Sequence, residues 1–311
     1  MSDVIDGIVG EEAEDVYILP ASFAQQRLWL LDRLEPGRST YNIPLNYRLS
    51  GPLSIAALRG AFTHLVARHE VLRTTFEIRA GEVQQVLHPA SNFDLQVVDL
   101  TAFDEPDRER SIARLVDEEG NRPFDLQVGP LLRATLVQVA DEAHVLLITI
   151  HHIAADGWSL GILIRELGVA YSALALGAEP ALPELPIQYA DFAIWQRERL
   201  DGDARSGSLE YWTKQLAHPL PTLDLPTYHD RAADRARSAH RVPVRVSKAA
   251  SDAFAVFARD AGVTSFVALL AAFQLLLHRY TTSDDVIVGT PIAGRTRIET
   301  EGLIGFFVNT L

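Results

Sequence analysis

A chain of 311 residues with 48% hydrophobic content and a mean hydropathy of +0.06 can bury a large core, and its length predicts two domains of ordinary size. A net charge of −13 and a pI near 5.2 argue against nucleic acid as a partner, and no uncharged apolar stretch of about eighteen residues offers a membrane span. The lack of cysteine excludes disulfides, thiolate nucleophiles and thiolate zinc sites, while an acidic start without the basic and apolar regions of a signal peptide predicts a cytoplasmic location.

Residues 1–16 are acidic and aperiodic, and are expected to form a disordered tail or linker. Order should begin at Leu19-Pro20. Ser22 is placed to cap a helix through Leu34, which the Gly37-Arg-Ser-Thr40 stretch ends. Leu58, Ala61, Phe62 and Leu65 recur at helical spacing within a second helix, Ser54 to His69. Leu72 to Ile78 and Val83 to His88 flank a turn and read as a hairpin; Leu95 to Leu100 reads as a strand and Glu105 to Asn121 as a helix. Two apolar β runs follow, Leu131 to Val139 and His144 to His151, joined by Asp141-Glu142.

After Trp158, the residues Leu160, Leu163, Ile164, Leu167, Tyr171 and Leu174 predict a helix that carries the chain to Gly177. Pro180 to Pro186 is the best linker. Helices are expected at Tyr189–Leu200 and Leu209–Leu216, a mobile loop at Tyr228–His240, a strand at Val242–Val246, helices at Ala249–Ala261 and Ser265–Tyr280, and a strand at Asp285–Thr290. The chain stops inside the apolar run Phe306-Phe-Val-Asn-Thr-Leu311 with no terminating signal, which predicts a truncated second domain. The order of elements gives an α/β or α+β layered fold class.

The richest chemistry lies in Ile148-Thr-Ile-His-His-Ile-Ala-Ala-Asp-Gly-Trp-Ser159, between a strand and a helix. A histidine titrates near pH ~6.5 and can take or give a proton at neutral pH, and a nearby carboxylate can fix its tautomer. Adjacent strand residues point to opposite faces, so at most one of His151 and His152 lines a pocket while the strand stays regular. Alternation groups His151 with Thr149 and His152 with Ile148 and Ile150, which slightly favours His151 and leaves the choice open. A histidine at a strand end is, besides, commonly a hydrogen-bonded structural residue.

Competing chemistries fit less well. Gly157-Trp-Ser-Leu-Gly161 spells the G-x-S-x-G string of a serine hydrolase, but His-His-Ile-Ala-Ala-Asp intervenes between the apolar run and it and no His-Gly-Gly-Gly loop precedes it. Of the downstream histidines His218, His229, His240 and His278, two fall in the expected mobile loop. His152 and Asp156 have the spacing of metal ligands on a helix, without an evident third. Neither phosphate-binding glycine string occurs, so chemistry without a bound cofactor or metal is the simplest reading.

His151, His152, Asp156 and Gly157 match the HHxxxDG motif of the condensation domains of nonribosomal peptide synthetases, which this chain resembles. Four other stretches match that family's motifs in order: Ser22-Phe-Ala-Gln-Gln-Arg-Leu-Trp-Leu-Leu31, Arg68-His-Glu-Val-Leu-Arg-Thr-Thr-Phe76, Tyr189-Ala-Asp-Phe-Ala-Ile-Trp195 and Ile304-Gly-Phe-Phe-Val-Asn-Thr310. Taken singly these are ordinary core stripes and charge pairs; their order carries the resemblance.

The resemblance implies two chloramphenicol-acetyltransferase-like lobes in a V, here residues 17–180 and a partial 181–311, with the histidines at the floor of a tunnel between them. Donor and acceptor carrier proteins would deliver thioesters on phosphopantetheine arms, an adenylation domain would be adjacent, and the product would be an amide. His152 would be general base or amine-orienting acceptor, with His151 packed on the opposite face. Asp156 would pair with an arginine, Arg295 first and Arg73 second. Gly157 N–H would approach the oxyanion, and Ser159 would cap the following helix. Trp158 and Asn309 would line or support the tunnel. The first two motifs look most like the subtype that accepts an L-configured donor. A member that only recruits partners is the alternative.

Overall fold

The computed structural model describes residues 16–200, 203–226 and 242–311. The expected tail (but for its last residue) and the expected loop Tyr228–His240, with His229 and His240, lie outside the described residues. Two compact units emerge, one formed by the described residues up to Ser206 together with Pro291–Leu311, the other by the described residues within Gly207–Thr290.

The first unit is a three-layer arrangement around a mixed sheet. Its strands are β2 (Asn42–Ser50), β7 (Ala143–His151), β6 (Leu132–Ala140) and β5 (Gln96–Asp99), in that order; β2, β7 and β6 are antiparallel and β5 is parallel to β6. Central β7 is apolar without interruption from Val145 to Ile148 because both its faces are covered. Leu146, Ile148 and Ile150 enter the main core with α2 (Ile55–Arg68) and α4 (Gly157–Ala175). Val145 and Leu147 face the other way, into a second core with Ile112 of α3 (Glu105–Asn121). His151 is therefore the end of the α3-facing row. α2 and α4 pack so closely that a Cβ at Gly60 would lie 3.0 Å from Leu174.

A smaller antiparallel sheet orders β1 (Tyr17–Pro20), β4 (Glu82–Leu87) and β3 (Thr74–Arg79). Ser22 and Gln25 close a reciprocal capping box at the start of α1 (Phe23–Leu34). The Tyr189–Leu200 expectation corresponds to α5 (Tyr189–Arg199), and Leu209–Leu216 falls largely within α6 (Asp203–Gln215). The second unit carries α7 (Lys248–Asp260) and α8 (Ser265–Thr281). Among the described residues no single helix is long and apolar enough to cross a membrane; α7 and α8, bent by 105°, meet length and composition criteria only as a pair.

Two expected strands are absent. Val242–Val246 alternates correctly, but among the described residues no strand pairs with it and its valines lie exposed. Asp285–Thr290 is likewise irregular; pairing begins one residue later, where β8 (Pro291–Ile292) meets β9 (Asn309–Thr310). β2 escaped the sequence reading although Ile43, Leu45, Tyr47 and Leu49 alternate, because Pro44 interrupts the run. An edge position tolerates that proline.

Candidate active site

The two histidines part company where β7 ends. His151 closes the strand, with its N–H donating to Leu131 O at 3.0 Å. The chain then turns tightly: the N–H groups of Ala154 and Ala155 donate to His151 O and His152 O at 3.0 and 3.3 Å, and His152 N–H donates to Tyr41 O at 2.8 Å. Ile153, Ala154 and Ala155 fill the core beneath this turn.

His151 is enclosed by the edges of Tyr41 and Phe124, at 6.2 and 5.8 Å between ring centroids. Its Nδ1 accepts the Ile153 N–H at 3.1 Å. Burial, reinforced by nearby His152 and by Arg133, drives its pKa down to about 3, so the ring is neutral. Arg133 sits over Phe124 at 3.7 Å. A ring so enclosed is a fixture of the turn.

His152 has the opposite setting. It is half-buried, and its Nδ1 donates to the Ala155 carbonyl at 2.9 Å. A carbonyl can only accept, so Nδ1 carries a proton, and in the neutral ring the lone pair falls on Nε2. Nε2 has no partner among the described residues. Phe306 meets the ring at 5.3 Å and 67°, in a T-shaped contact.

Asp156 is fully buried and caps α4: Oδ1 accepts from Ser159 N–H at 2.9 Å. The expected capping by the Ser159 hydroxyl is thus corrected, because Asp156 already occupies the N-cap and Ser159 lies one turn inside. Arg295 Nη2 pairs with Asp156 Oδ1 at 3.2 Å, and Phe307 N–H donates to Oδ2 at 3.1 Å. Arg295 also donates to the carbonyls of Thr300 and Leu303 and lies over the Phe307 ring at 4.0 Å. Burial lowers the Arg295 pKa from its usual value, and the Asp156 carboxylate opposes that fall.

The Ser159 hydroxyl is buried among Asp156 Oδ1, Gly305 O and Arg295 Nη2, each at 2.8 Å, and Gly305 N at 3.1 Å. Among the described residues no histidine touches it, so none is placed as the base that a nucleophilic serine needs. Gly157 opens α4 beside open space. Trp158 is half-exposed, with Nε1 donating to Glu301 O at 3.1 Å.

Arg73 lies elsewhere: it donates to His88 O and Glu70, so Asp156 is paired by Arg295 and not by Arg73. Asn309 is exposed and accepts from Arg27 at 3.5 Å. The sequence reading overlooked Phe306 and Tyr41, whose apolar setting marks burial without showing that either meets a histidine. Among the described residues no three His, Asp or Glu side chains converge as a metal would require.

Comparison with known proteins is decisive at the family level. The condensation domain family matches residues 14–311. A synthetase from the linear gramicidin system of Brevibacillus parabrevis is 48% identical over 293 residues, covering 94% of this chain and 6% of that protein. The X-domain from teicoplanin biosynthesis, solved alone and in complex with OxyB, superposes with TM-score 0.84 at 32% identity, over 98% of this chain and 66% of its own when alone. The first condensation domain of the CDA synthetase shares the fold, with TM-score 0.75 at 21% identity over 95% of this chain and 70% of its own. The chain therefore spans a small part of its synthetase relative and about two thirds of these solved domains.

Proposed function

We propose, for a chain that belongs to the condensation domain family of nonribosomal peptide synthetases, that it forms an amide bond between two carrier-bound substrates. The acceptor aminoacyl thioester supplies the amine nitrogen, which attacks the donor thioester carbonyl. The C–S bond breaks, the donor arm leaves as thiol, and the lengthened acyl chain remains on the acceptor arm. No covalent enzyme intermediate is needed.

The observation that carries this reading is the tautomer of His152. With Nδ1–H spent on Ala155 O, the Nε2 lone pair is the group available to the acceptor amine. An α-amine titrates near pH ~8, so a fair fraction is neutral without a strong base, and a thioester is already activated. Orientation can then matter as much as proton removal, since fixing two reactants contributes up to about 7–11 kcal/mol. His152 holds the amine, takes its proton as the C–N bond forms and returns it to the departing thiolate, so that the donor arm leaves as thiol and the ring ends neutral. Gly157 N–H, at the start of α4, is the donor offered to the developing oxyanion. Asp156 and Arg295 shape the turn, while Trp158 and Asn309 belong to the tunnel wall.

The partners in this reading are donor and acceptor carrier proteins with phosphopantetheine arms and an adjacent adenylation domain. The donor is L-configured. The test supplies the chain with loaded donor and acceptor carriers and follows the acyl chain on the acceptor. Transfer should be lost in His152→Ala and should favour the L donor over its D epimer; transfer that survives His152→Ala defeats the assignment. The likeness to the teicoplanin X-domain, solved with OxyB bound, favours partner recruitment as a second reading. A folded chain that transfers nothing would support it.

A further inference from the structure

Three stretches far apart in sequence meet in one buried hydrogen-bonded line that the proposed chemistry leaves unused. The Tyr189 hydroxyl, at the start of α5, donates to Phe306 O at 2.6 Å. Its single proton being committed there, Ser22 Oγ, 2.9 Å away, donates to the Tyr189 oxygen. Ser22 Oγ in turn accepts the Gln25 N–H at 3.1 Å, the capping bond of α1. Tyr189 is 1% exposed, and burial raises its pKa, so the hydroxyl stays a donor.

The tyrosine also bears on the neighbouring backbone. A Cβ added at Gly305 would fall 2.0 Å from Tyr189 Cδ2, so the ring presses directly on that residue. Its ring meets that of Phe307 in a T-shaped contact at 5.0 Å between centroids. Asp156 and Ser159 hold the same segment from the other side, by accepting the Phe307 N–H and the Gly305 N–H. Between these two holds sits Phe306, 5% exposed, whose ring contacts His152.

We infer that Tyr189 is a positioning residue for His152, acting through Phe306. Its hydroxyl fixes the Phe306 carbonyl, which sets where the phenyl ring stands and so limits the tilt of the imidazole about its Nδ1–H bond to Ala155. That the tilt governs amide transfer rests on the function proposed above; that Tyr189 sets it does not.

The test is Tyr189→Phe, which keeps the ring and removes the donor. In the parent chain the ring current of Phe306, 5.3 Å from the imidazole in a T-shaped contact, should displace the His152 ring-proton resonances in NMR spectra. In Tyr189→Phe these should move toward their undisplaced positions, and kcat for transfer between loaded carriers should fall about tenfold or more with KM unchanged, as expected when orientation alone is lost. Should Tyr189→Phe not fold, Phe306→Leu keeps every backbone bond of the segment and should move the same resonances. Unchanged His152 resonances in either folded variant overturn the inference, as does a loss of thermal stability with spectrum and kcat intact. Resonances that move in a chain whose His152→Ala variant still transfers uphold Tyr189 as the positioner of His152 and overturn the catalytic role of His152 instead.

Discussion

The socket of His151 and the clamp of Asp156 lie five residues apart in sequence and are both buried, yet they manage polar atoms in opposite ways. The socket is lined by Tyr41 and Phe124, and its histidine stays neutral with one local bond to Ile153. The clamp keeps a carboxylate and a guanidinium together at 3.2 Å and supplies the carboxylate with Ser159 and Phe307 as further donors. Where no counter-charge is at hand, burial removes the charge; where one is supplied and hydrogen-bonded, burial preserves it. The socket therefore anchors a turn, and the clamp ties that turn to a segment some 150 residues away, at Phe307.

The largest test of this contrast is Asp156→Ala. It leaves the Arg295 cation buried without its carboxylate and strips Phe307 N–H of its acceptor, and should cost about 3–5 kcal/mol in urea unfolding. A loss near that of a surface pair, under about 1 kcal/mol, would abolish the distinction between clamp and surface bridge.

Ser159→Ala should cost less, about 1–3 kcal/mol, because it leaves Gly305 N–H and one Arg295 donor unpaired while the ion pair remains. The same residue decides a chemical question: a fluorophosphonate probe should leave the parent chain unlabelled at Ser159, since that hydroxyl is buried and committed. Labelling there, lost in Ser159→Ala, would restore the serine hydrolase reading.

The socket predicts a pH dependence. Unfolded, His151 takes a proton near pH 6.5; folded, it resists until about 3. Unfolding therefore takes up a proton in that window, and stability falls as pH drops from about 6.5 toward 3, by up to about 1.4 kcal/mol per pH unit. His151→Phe, which suits an aromatic socket, should flatten the fall by about one proton when unfolding midpoints are compared between pH 7 and 5. An unaltered slope would mean that His151 is not held neutral.

Much of this was legible in the residues themselves. α3 follows the expected Glu105–Asn121, and β7 ends at His151 as expected, since local periodicity and capping signals suffice for both. The pairing of Asp156 with Arg295 was suggested only through a family resemblance, for no local rule links residues 139 positions apart. Pro44 hid β2, which forms because β7 offers it a paired backbone, and Val242–Val246 was wrongly expected as a strand because no described strand lies beside it.

The sequence by itself determined which segments are apolar, where helices start and stop, and that a proton-handling motif lies between a strand and a helix. These depend on neighbours within a turn or two of the chain. The family resemblance assigned the working role to His152 while spacing along the strand left the choice open, and only the tertiary structure shows which ring is enclosed and which is half-buried. Alternation along β7 favoured His151, but α3, Tyr41 and Phe124 seal that face, and the chain leaves the strand before His152, so the second ring escapes alternation altogether. Its tautomer comes from the Ala155 carbonyl and its setting from Phe306, both fixed by how the turn folds back and how residues 303–307 are held. Burial and proton placement depend on what surrounds a side chain in space, and spacing along a chain does not contain that.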